Sequence, residues 1–269
     1  MYDTTKSPAT SPAALEARSC GAGAGLTWFT RAWKIFANAW LELLIATIIV
    51  FVIAFVIGLI PGVSLLQSLV YPLLIAGFLH MAQKSEHDEV VSIRDLFVAF
   101  NEANRSRLIK LLLMGLLSVA AMFVIMIAMA VIAAVAYFLL GGAAFFEGIQ
   151  QNWMQAGMAG LTGTEMLVVL LAVVLFASVI VVYSCAFWLA TPLLWFTECG
   201  VFESLKLSLQ AAGRNVGALL VFGFVLLIAF VVALLPFALG LLVFIPVSWV
   251  TLYTVYKDVF EQESFLIMV

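Results

Sequence analysis

The side chains that could take part in catalysis or ligand binding are few, and histidine is the rarest of them. The sequence holds two histidines, His80 and His87. An imidazole can bind haem iron or a metal ion, but His80 stands alone in an apolar run and His87 lies in a polar segment. The run 84–89 around His87 resembles a metal cluster only in composition, and a solvated charge run is the interpretation it favours. We therefore expect His80 to be an ordinary histidine rather than a ligand.

Hydroxyl and thiol groups lack the partners that nucleophilic catalysis needs. A nucleophile requires a base within hydrogen-bonding reach, and the hydroxyl residues of the apolar runs have none at a suitable spacing: Ser178, Tyr183, Ser184 and Thr191. The odd number of cysteines, three, gives no paired disulfide framework. These patterns predict no catalytic residue, no cofactor and no metal site, and hence a protein that is not an enzyme.

The composition indicates the solvent in which the chain folds. Of 269 residues, 65% are hydrophobic and 10% are charged, and the mean hydropathy is +1.20. Ordinary soluble domains have about a quarter of their residues charged, so lipid must be the solvent for most of this chain. Twelve basic residues and a net charge of −3 offer no basic patch for nucleic acid. The composition predicts an all-α, polytopic membrane protein whose first partner is the lipid bilayer.

Six uncharged apolar runs are long enough to cross a bilayer, which takes about 20 helical residues. Pro61 and Pro236 divide two longer stretches into hairpins. The alternative is that these prolines kink continuous helices, which would leave four helices, but each merged helix would far exceed the bilayer. The predicted spans are 43–60, 63–82, 111–140, 166–197, 216–235 and 237–256.

The basic residues all lie on one side of these spans. All twelve fall before the first span, in the connections 84–110 and 198–214, or in the tail from Lys257. The connections on the other side, 141–165 included, contain none. By the positive-inside rule, both termini are cytoplasmic.

Three short amphipathic stretches precede the odd-numbered spans, and each has apolar residues three or four positions apart on one helical face. Such helices can lie in the membrane interface with a basic face towards the headgroups. Their candidate interfacial residues are Trp28, Trp33 and Phe36 in the first, Phe97 and Phe100 in the second, and Leu205 and Leu209 in the third.

Prolines recur in the even-numbered spans. Pro72, Pro192 and Pro246 precede the cytoplasmic charges Lys84, Glu203 and Lys257 by 12, 11 and 11 positions. Together with the amphipathic stretches, this spacing predicts three units of amphipathic helix, span and span. The units share one orientation, so their pseudo-threefold axis would run along the membrane normal.

The predicted domain organisation is a disordered cytoplasmic tail, a transmembrane domain and a short C-terminal tail. Residues 1–26 are rich in Pro, Ala, Ser and Gly and have too little apolar surface to offset the entropy of ordering. The transmembrane domain covers 27–260, with units 27–91, 92–202 and 203–260. The C-terminal tail covers 261–269.

Several segments resemble an uncharacterised family of six-span bacterial inner-membrane proteins. The resemblance rests on Trp28–Trp40, the hairpin Leu59–Gly62, Ser92–Phe100, Glu203–Asn215 and Tyr253–Phe260. The amphipathic helices are also similar to those of the membrane domain ahead of some glycerophosphodiester phosphodiesterases, whose catalytic domain this sequence lacks. The resemblance implies a six-span fold in the bacterial inner membrane and supplies no active site.

Two functional hypotheses follow from an apolar surface without catalytic residues. The first is a non-enzymatic accessory or scaffolding subunit that binds other membrane protein subunits. The second is a transporter or carrier of a lipid or another apolar small molecule, with a cavity at the pseudo-threefold axis beside Pro72, Pro192 and Pro246. Filled helix packing would favour the subunit, and a groove lined by convergent polar side chains would favour transport.

Overall fold

The computed structural model describes residues 15–60, 64–139, 142–157 and 163–261. These residues form α-helices and short 3₁₀ helices and include no β-strand, so the predicted all-α class is confirmed. The 3₁₀ helices are Ile93–Phe100 and Glu102–Asn104. The α-helices are α1 (Ala24–Asn38), α2 (Trp40–Gly58), α3 (Ser64–Glu86), α4 (Arg105–Leu139), α5 (Ala143–Ala156), α6 (Gly163–Trp188), α7 (Ala190–Phe196), α8 (Val201–Arg214), α9 (Val216–Leu234) and α10 (Leu241–Phe260).

Five segments of the described chain are long and apolar enough to cross a membrane. They lie in α2, α3, α4, α6 with α7, and α9. The helix α10 is not among them, although 20 residues would suffice, because it carries Lys257, Asp258 and several Thr and Tyr residues. It also begins four residues later than the predicted sixth span, because Phe237 and Ala238 adopt positive φ in a turn over 235–240. Pro236 lies in that turn, whereas Pro61 lies outside the described residues.

The chain divides into two compact units. The first contains the described residues up to 117 and from 185 onwards, and the second contains 118–184. Within the second unit, Gly142 adopts φ +68°, and its N–H donates to the carbonyl of Tyr137 at 2.8 Å. This turn leads into α5, so much of the connection predicted as a loop over 141–165 is a helix.

A cycle of helix contacts organises the first unit. The 3₁₀ helix Ile93–Phe100 packs on α3, α8 packs on α7, and α1 packs on α10. The helices α3, α7 and α10 also pack on one another. Gly77 makes one of these contacts possible, because a Cβ atom there would collide with the backbone carbonyl of Leu96. Each amphipathic segment therefore packs on the last helix of the preceding predicted unit, and α1 closes the cycle.

The joints α1–α2 and α8–α9 have the same local geometry. Each is a single non-helical residue, Ala39 with φ −134° and ψ 45°, and Asn215 with φ −121° and ψ 26°. Each N–H donates to the carbonyl three residues earlier, of Phe36 and Ala212, at 3.2 Å. The helices that follow, α2 and α9, both have 19 residues. The middle unit differs, because its amphipathic segment is a 3₁₀ helix and α4 has 35 residues.

Residues 15–23 differ from the predicted disordered tail, because specific hydrogen bonds hold them against the end of α10 and the α8–α9 joint. The Arg18 N–H donates to the carbonyl of Val259 at 3.0 Å. The side-chain amide of Asn215 accepts from the Cys20 N–H at 2.6 Å and donates to the Arg18 carbonyl at 2.8 Å. Ala17 is buried and belongs to the core cluster of the first unit. Residues 1–14 of the predicted tail lie outside the described residues.

Candidate functional site at the ends of α1, α3 and α10

The carboxylate of Glu86, in the last turn of α3, accepts hydrogen bonds from two other helices. Arg31 of α1 donates through Nη2 at 3.1 Å, Lys257 of α10 donates through Nζ at 2.8 Å, and the Tyr253 hydroxyl donates at 2.6 Å. All four side chains are mostly shielded from solvent. Because charge-assisted bonds are about twice as strong as neutral ones, this network fastens α1, α3 and α10 together.

Trp28 joins α1 to α10 at a second point. Its indole Nε1 donates to Oδ2 of Asp258 at 2.7 Å, and its carbonyl accepts from the Thr254 hydroxyl at 3.0 Å. The ring itself is fully buried and meets Phe222 of α9 edge to face at 5.8 Å. Trp28 was predicted as an interfacial residue, and the structure places its side chain in the protein core.

A third polar contact fastens the 3₁₀ helix Ile93–Phe100 to α3. Ser92 caps this helix, and its own N–H donates to the Asp95 carboxylate at 2.9 Å. Lys84 of α3 donates to the same carboxylate at 2.7 Å. Burial raises the pKa of Asp95, but the bonds from Lys84 and from the Ser92 N–H outweigh that effect and hold the pKa below its usual value.

The charged run 84–89 is therefore solvated only in part. Lys84 and Glu86 are in ion pairs, and the buried Ser85 hydroxyl donates to the Ile35 carbonyl at 2.7 Å. The interpretation as a solvated run holds for Asp88 and Glu89, which are exposed. The earlier part of the run faces the other helices, because it belongs to the last turns of α3.

The polar contact between α7 and α8 is made by a serine. The hydroxyl of Ser208 donates to the Cys185 carbonyl at 2.7 Å and accepts from the Leu189 N–H at 2.9 Å. These two backbone groups lie where α6 ends and α7 begins, so Ser208 satisfies the helix break. Nearby, Glu198 pairs with Arg107 and Lys110 of α4 at 3.4 and 3.6 Å.

The predicted interfacial residues separate into two groups. Trp28 and Phe36 are buried, and Leu205 is partly buried against the core. The exposed group consists of Trp33, Phe97, Phe100 and Leu209. All four lie on helical segments, as predicted.

The three predicted prolines are all buried but occupy different helical positions. Pro72 and Pro246 lie inside α3 and α10. Pro192 is instead the third residue of α7, because the predicted fourth span breaks at Leu189. A proline in the first helical turn has no lost backbone hydrogen bond to replace.

The centre of the cycle is filled by side chains of α3, α7 and α10. The Phe196 ring stacks on Tyr256 at 5.1 Å and lies 5.5 Å from Tyr253. One buried cluster includes Leu73, Ala76, Leu193, Leu194 and Val255. This part of the described structure is a packed core.

The chemistry available around these contacts is ion pairing and hydrogen bonding. His80 is half-buried, with its ring 6.1 Å from that of Trp195. Among the described residues, no group of three or more His, Cys, Asp or Glu side chains could hold a metal ion. Burial raises the pKa of the Cys199 thiol and raises that of Cys20 to about 11, which opposes thiolate formation.

The ion-pairing residues that carry these contacts could not be predicted from the sequence. Arg31 and Glu86 are 55 positions apart, and Glu86 and Lys257 are 171 positions apart. A weak signal existed in the basic and acidic residues placed within apolar helices, Arg31 in α1 and Asp258 in α10. Pairing them requires the cycle of helix contacts.

Comparisons of this chain with family models, with curated proteins and with solved structures find no match. The function is therefore argued from the residues and contacts described above.

Proposed function

We propose that this protein crosses the bacterial inner membrane six times, with α10 as the sixth span, and that three units are arranged about a pseudo-threefold axis. The shared geometry of Ala39 and Asn215, 176 positions apart, supports a repeat of the first and third units. The buried positions of α1 recur in α8 at the same interval, Trp28 with Ser204 and Ala32 with Ser208. The cycle of contacts supports the threefold relation.

The charge distribution supports an orientation with both termini in the cytoplasm. The test is labelling of single cysteines in intact cells with a membrane-impermeant maleimide. A cysteine at the exposed position Gln151 should react, and one at the exposed position Glu89 should not. Labelling at Glu89 from outside would refute this topology.

Within that membrane, we propose that the protein acts as a non-enzymatic accessory or scaffolding subunit of a larger complex. Two separate observations carry this proposal: the first unit has a filled centre, and the long helices α4 and α6 expose their apolar side chains. The apolar stretches of α4 and α6 contain no buried residue over 18 positions each. Such surfaces suit lateral contact with lipid or with transmembrane helices of other subunits, which pack by close apolar contact and interhelical hydrogen bonds. The packed centre gives less support to a carrier with an axial cavity.

The experiment is purification of the full chain in a mild detergent after crosslinking in the native membrane. We expect a defined membrane protein to co-purify in a fixed ratio. The same protein should be lost when Phe123, Ile127 and Val131 on the exposed face of α4 are replaced by Trp, while the chain still accumulates. Matched replacement of Phe224, Leu227 and Val231 on α9 is the control surface. Purification of a monomer alone from crosslinked membranes would refute the subunit proposal.

His80 discriminates this proposal from ion-coupled transport. It is a half-buried imidazole within the α3 span, and histidine is the side-chain type most often used to bind or transfer protons at physiological pH. A subunit that acts by contact should retain its co-purifying partner when His80 is replaced by Ala. Suppose that cells carrying His80→Ala show the same defect as cells that lack the protein, although the variant accumulates and assembles normally. That result would favour a proton or ligand site at His80 instead.

A further inference from the structure

The helices α1 and α8 each leave a line of apolar side chains exposed. A spacing of seven residues is close to two helical turns, so two such residues within one helix lie on the same side of it. A third residue continues each set just beyond the joints at Ala39 and Asn215. In and just after α1 these residues and their exposed fractions are Leu26 (51%), Trp33 (49%) and Trp40 (55%). In and just after α8 they are Phe202 (78%), Leu209 (43%) and Val216 (54%).

The two lines occupy equivalent positions. Each residue of the second lies 176 positions after its counterpart in the first, the interval that also separates the two joints. Isolated exposed apolar residues need no explanation, but three exposed pairs at one interval indicate a shared environment. A different side of each helix is buried in the core. Each helix therefore packs one side against the protein and exposes apolar residues on another.

Basic side chains accompany these lines. Lys34 of α1 and Lys206 of α8 are both exposed. The 3₁₀ helix Ile93–Phe100 has the same combination, with Phe97 and Phe100 exposed beside the exposed Arg94. We refer to the two apolar lines, Phe97, Phe100 and these three basic residues together as the collar.

We propose that the collar binds anionic phospholipids of the leaflet in which it lies. The apolar lines would contact the glycerol and upper acyl region, and the three basic side chains would pair with headgroup phosphates. All three amphipathic segments expose apolar side chains beside a basic side chain. The ligand must therefore be one that can contact every segment in the same way. A shell of lipid does so, whereas a single partner protein would contact one segment. This proposal rests on the membrane placement proposed above, and it does not depend on the accessory-subunit role.

The test uses the purified full chain in nanodiscs of phosphatidylcholine, in which about a tenth of the lipid is brominated phosphatidylglycerol or brominated phosphatidylcholine. Bromine quenches tryptophan fluorescence on contact, and subtraction of the Trp33→Phe spectrum isolates the Trp33 signal. One basic residue near a headgroup contributes about 1 kcal/mol, which multiplies the local ratio of anionic to neutral lipid about fivefold, so a bulk share of about a tenth becomes a local share of roughly a third. We therefore expect roughly threefold stronger quenching of Trp33 by the brominated anionic lipid at this dilution. The buried Trp195, isolated through Trp195→Phe, should be quenched by neither lipid.

Charge variants separate headgroup recognition from apolar contact. Lys34→Gln should remove the preference at Trp33 but keep the weaker quenching by brominated phosphatidylcholine. Arg18→Gln, which removes an exposed basic residue outside the collar, should leave the preference unchanged. Equal quenching of Trp33 by both lipids would refute anionic lipid binding. If neither brominated lipid quenches Trp33, the apolar line packs against protein rather than lipid, and the proposal is wrong. Neither result depends on whether a partner subunit co-purifies, so this failure is distinct from failure of the subunit proposal.

Discussion

Removal of the Glu86 carboxylate should weaken the junction of α1, α3 and α10 more than removal of any exposed acid nearby. In Glu86→Ala, the Arg31 guanidinium, the Lys257 ammonium and the Tyr253 hydroxyl all lose the carboxylate that they share. Breaking a fully buried ion pair costs about 3–5 kcal/mol. These side chains are partly accessible to water, which compensates some of the loss, so we expect about 2–3 kcal/mol.

Thermal unfolding of the purified protein in detergent, followed by tryptophan fluorescence, measures this effect. For a domain of this size, a loss of about 2–3 kcal/mol lowers Tm by roughly 5–10 °C. The control is Glu89→Ala, an exposed acid three residues further along the chain. Its Tm should stay within about 1–2 °C of the parent, since exposed charges contribute little.

A double-mutant cycle tests whether the loss comes from the pairing. Lys257→Met should also lower Tm, because it leaves Glu86 with one cation fewer. The combined variant should be more stable than the sum of the two single losses predicts, with a coupling of about 0.5–3 kcal/mol between contacting groups. If Glu86→Ala unfolds at the same temperature as Glu89→Ala, or if the two losses add, the network does not fasten these helices.

Three further predictions concern other contacts of the first unit. Gly77→Val should abolish folded protein in size-exclusion chromatography, because the added side chain would collide with the Leu96 carbonyl. Cys20, with a pKa raised to about 11, should react with iodoacetamide at pH 8 about a hundredfold more slowly than a thiol at its ordinary pKa of 9.0, as measured by mass spectrometry. The folded pKa of Asp95 lies below the unfolded one, so its contribution is present above the unfolded pKa of about 3.9 and is lost as pH falls through the folded pKa. The Tm difference between the parent and Asp95→Asn should therefore shrink as pH is lowered from 7 towards 3.

Each of these predictions has a control in the same chain. Gly58→Ala should fold normally, because a Cβ atom there meets no neighbour within 4 Å. Asn215→Ala should accelerate alkylation of Cys20 by releasing residues 15–20, and an unchanged rate would contradict the role of Asn215. Glu89→Gln, at an exposed acid outside these contacts, is the matched control for Asp95→Asn. A Gly77→Val protein that elutes as the parent does would contradict the close packing of the 3₁₀ helix on α3.

The sequence by itself determined the all-α class of the protein and the approximate positions of most of its long apolar helices. Long apolar runs must form helices in lipid, because no water is present to satisfy backbone groups. A local signal also predicted the break between the last two spans at Pro236, which lies in a turn. These features depend on neighbours within a few residues, so spacing along the chain was enough to predict them.

Only the tertiary structure decided which apolar side of each amphipathic helix is buried and which charges pair. Trp28 and Trp33 look equivalent in sequence, because α1 is apolar on two sides, yet one is in the core and the other is exposed. Likewise, Glu86 belongs to a run that looks solvated until α10 brings Lys257 within 2.8 Å. Periodicity records that a residue is apolar or charged but not which distant helix faces it. That choice is made when α1 closes the cycle on α10.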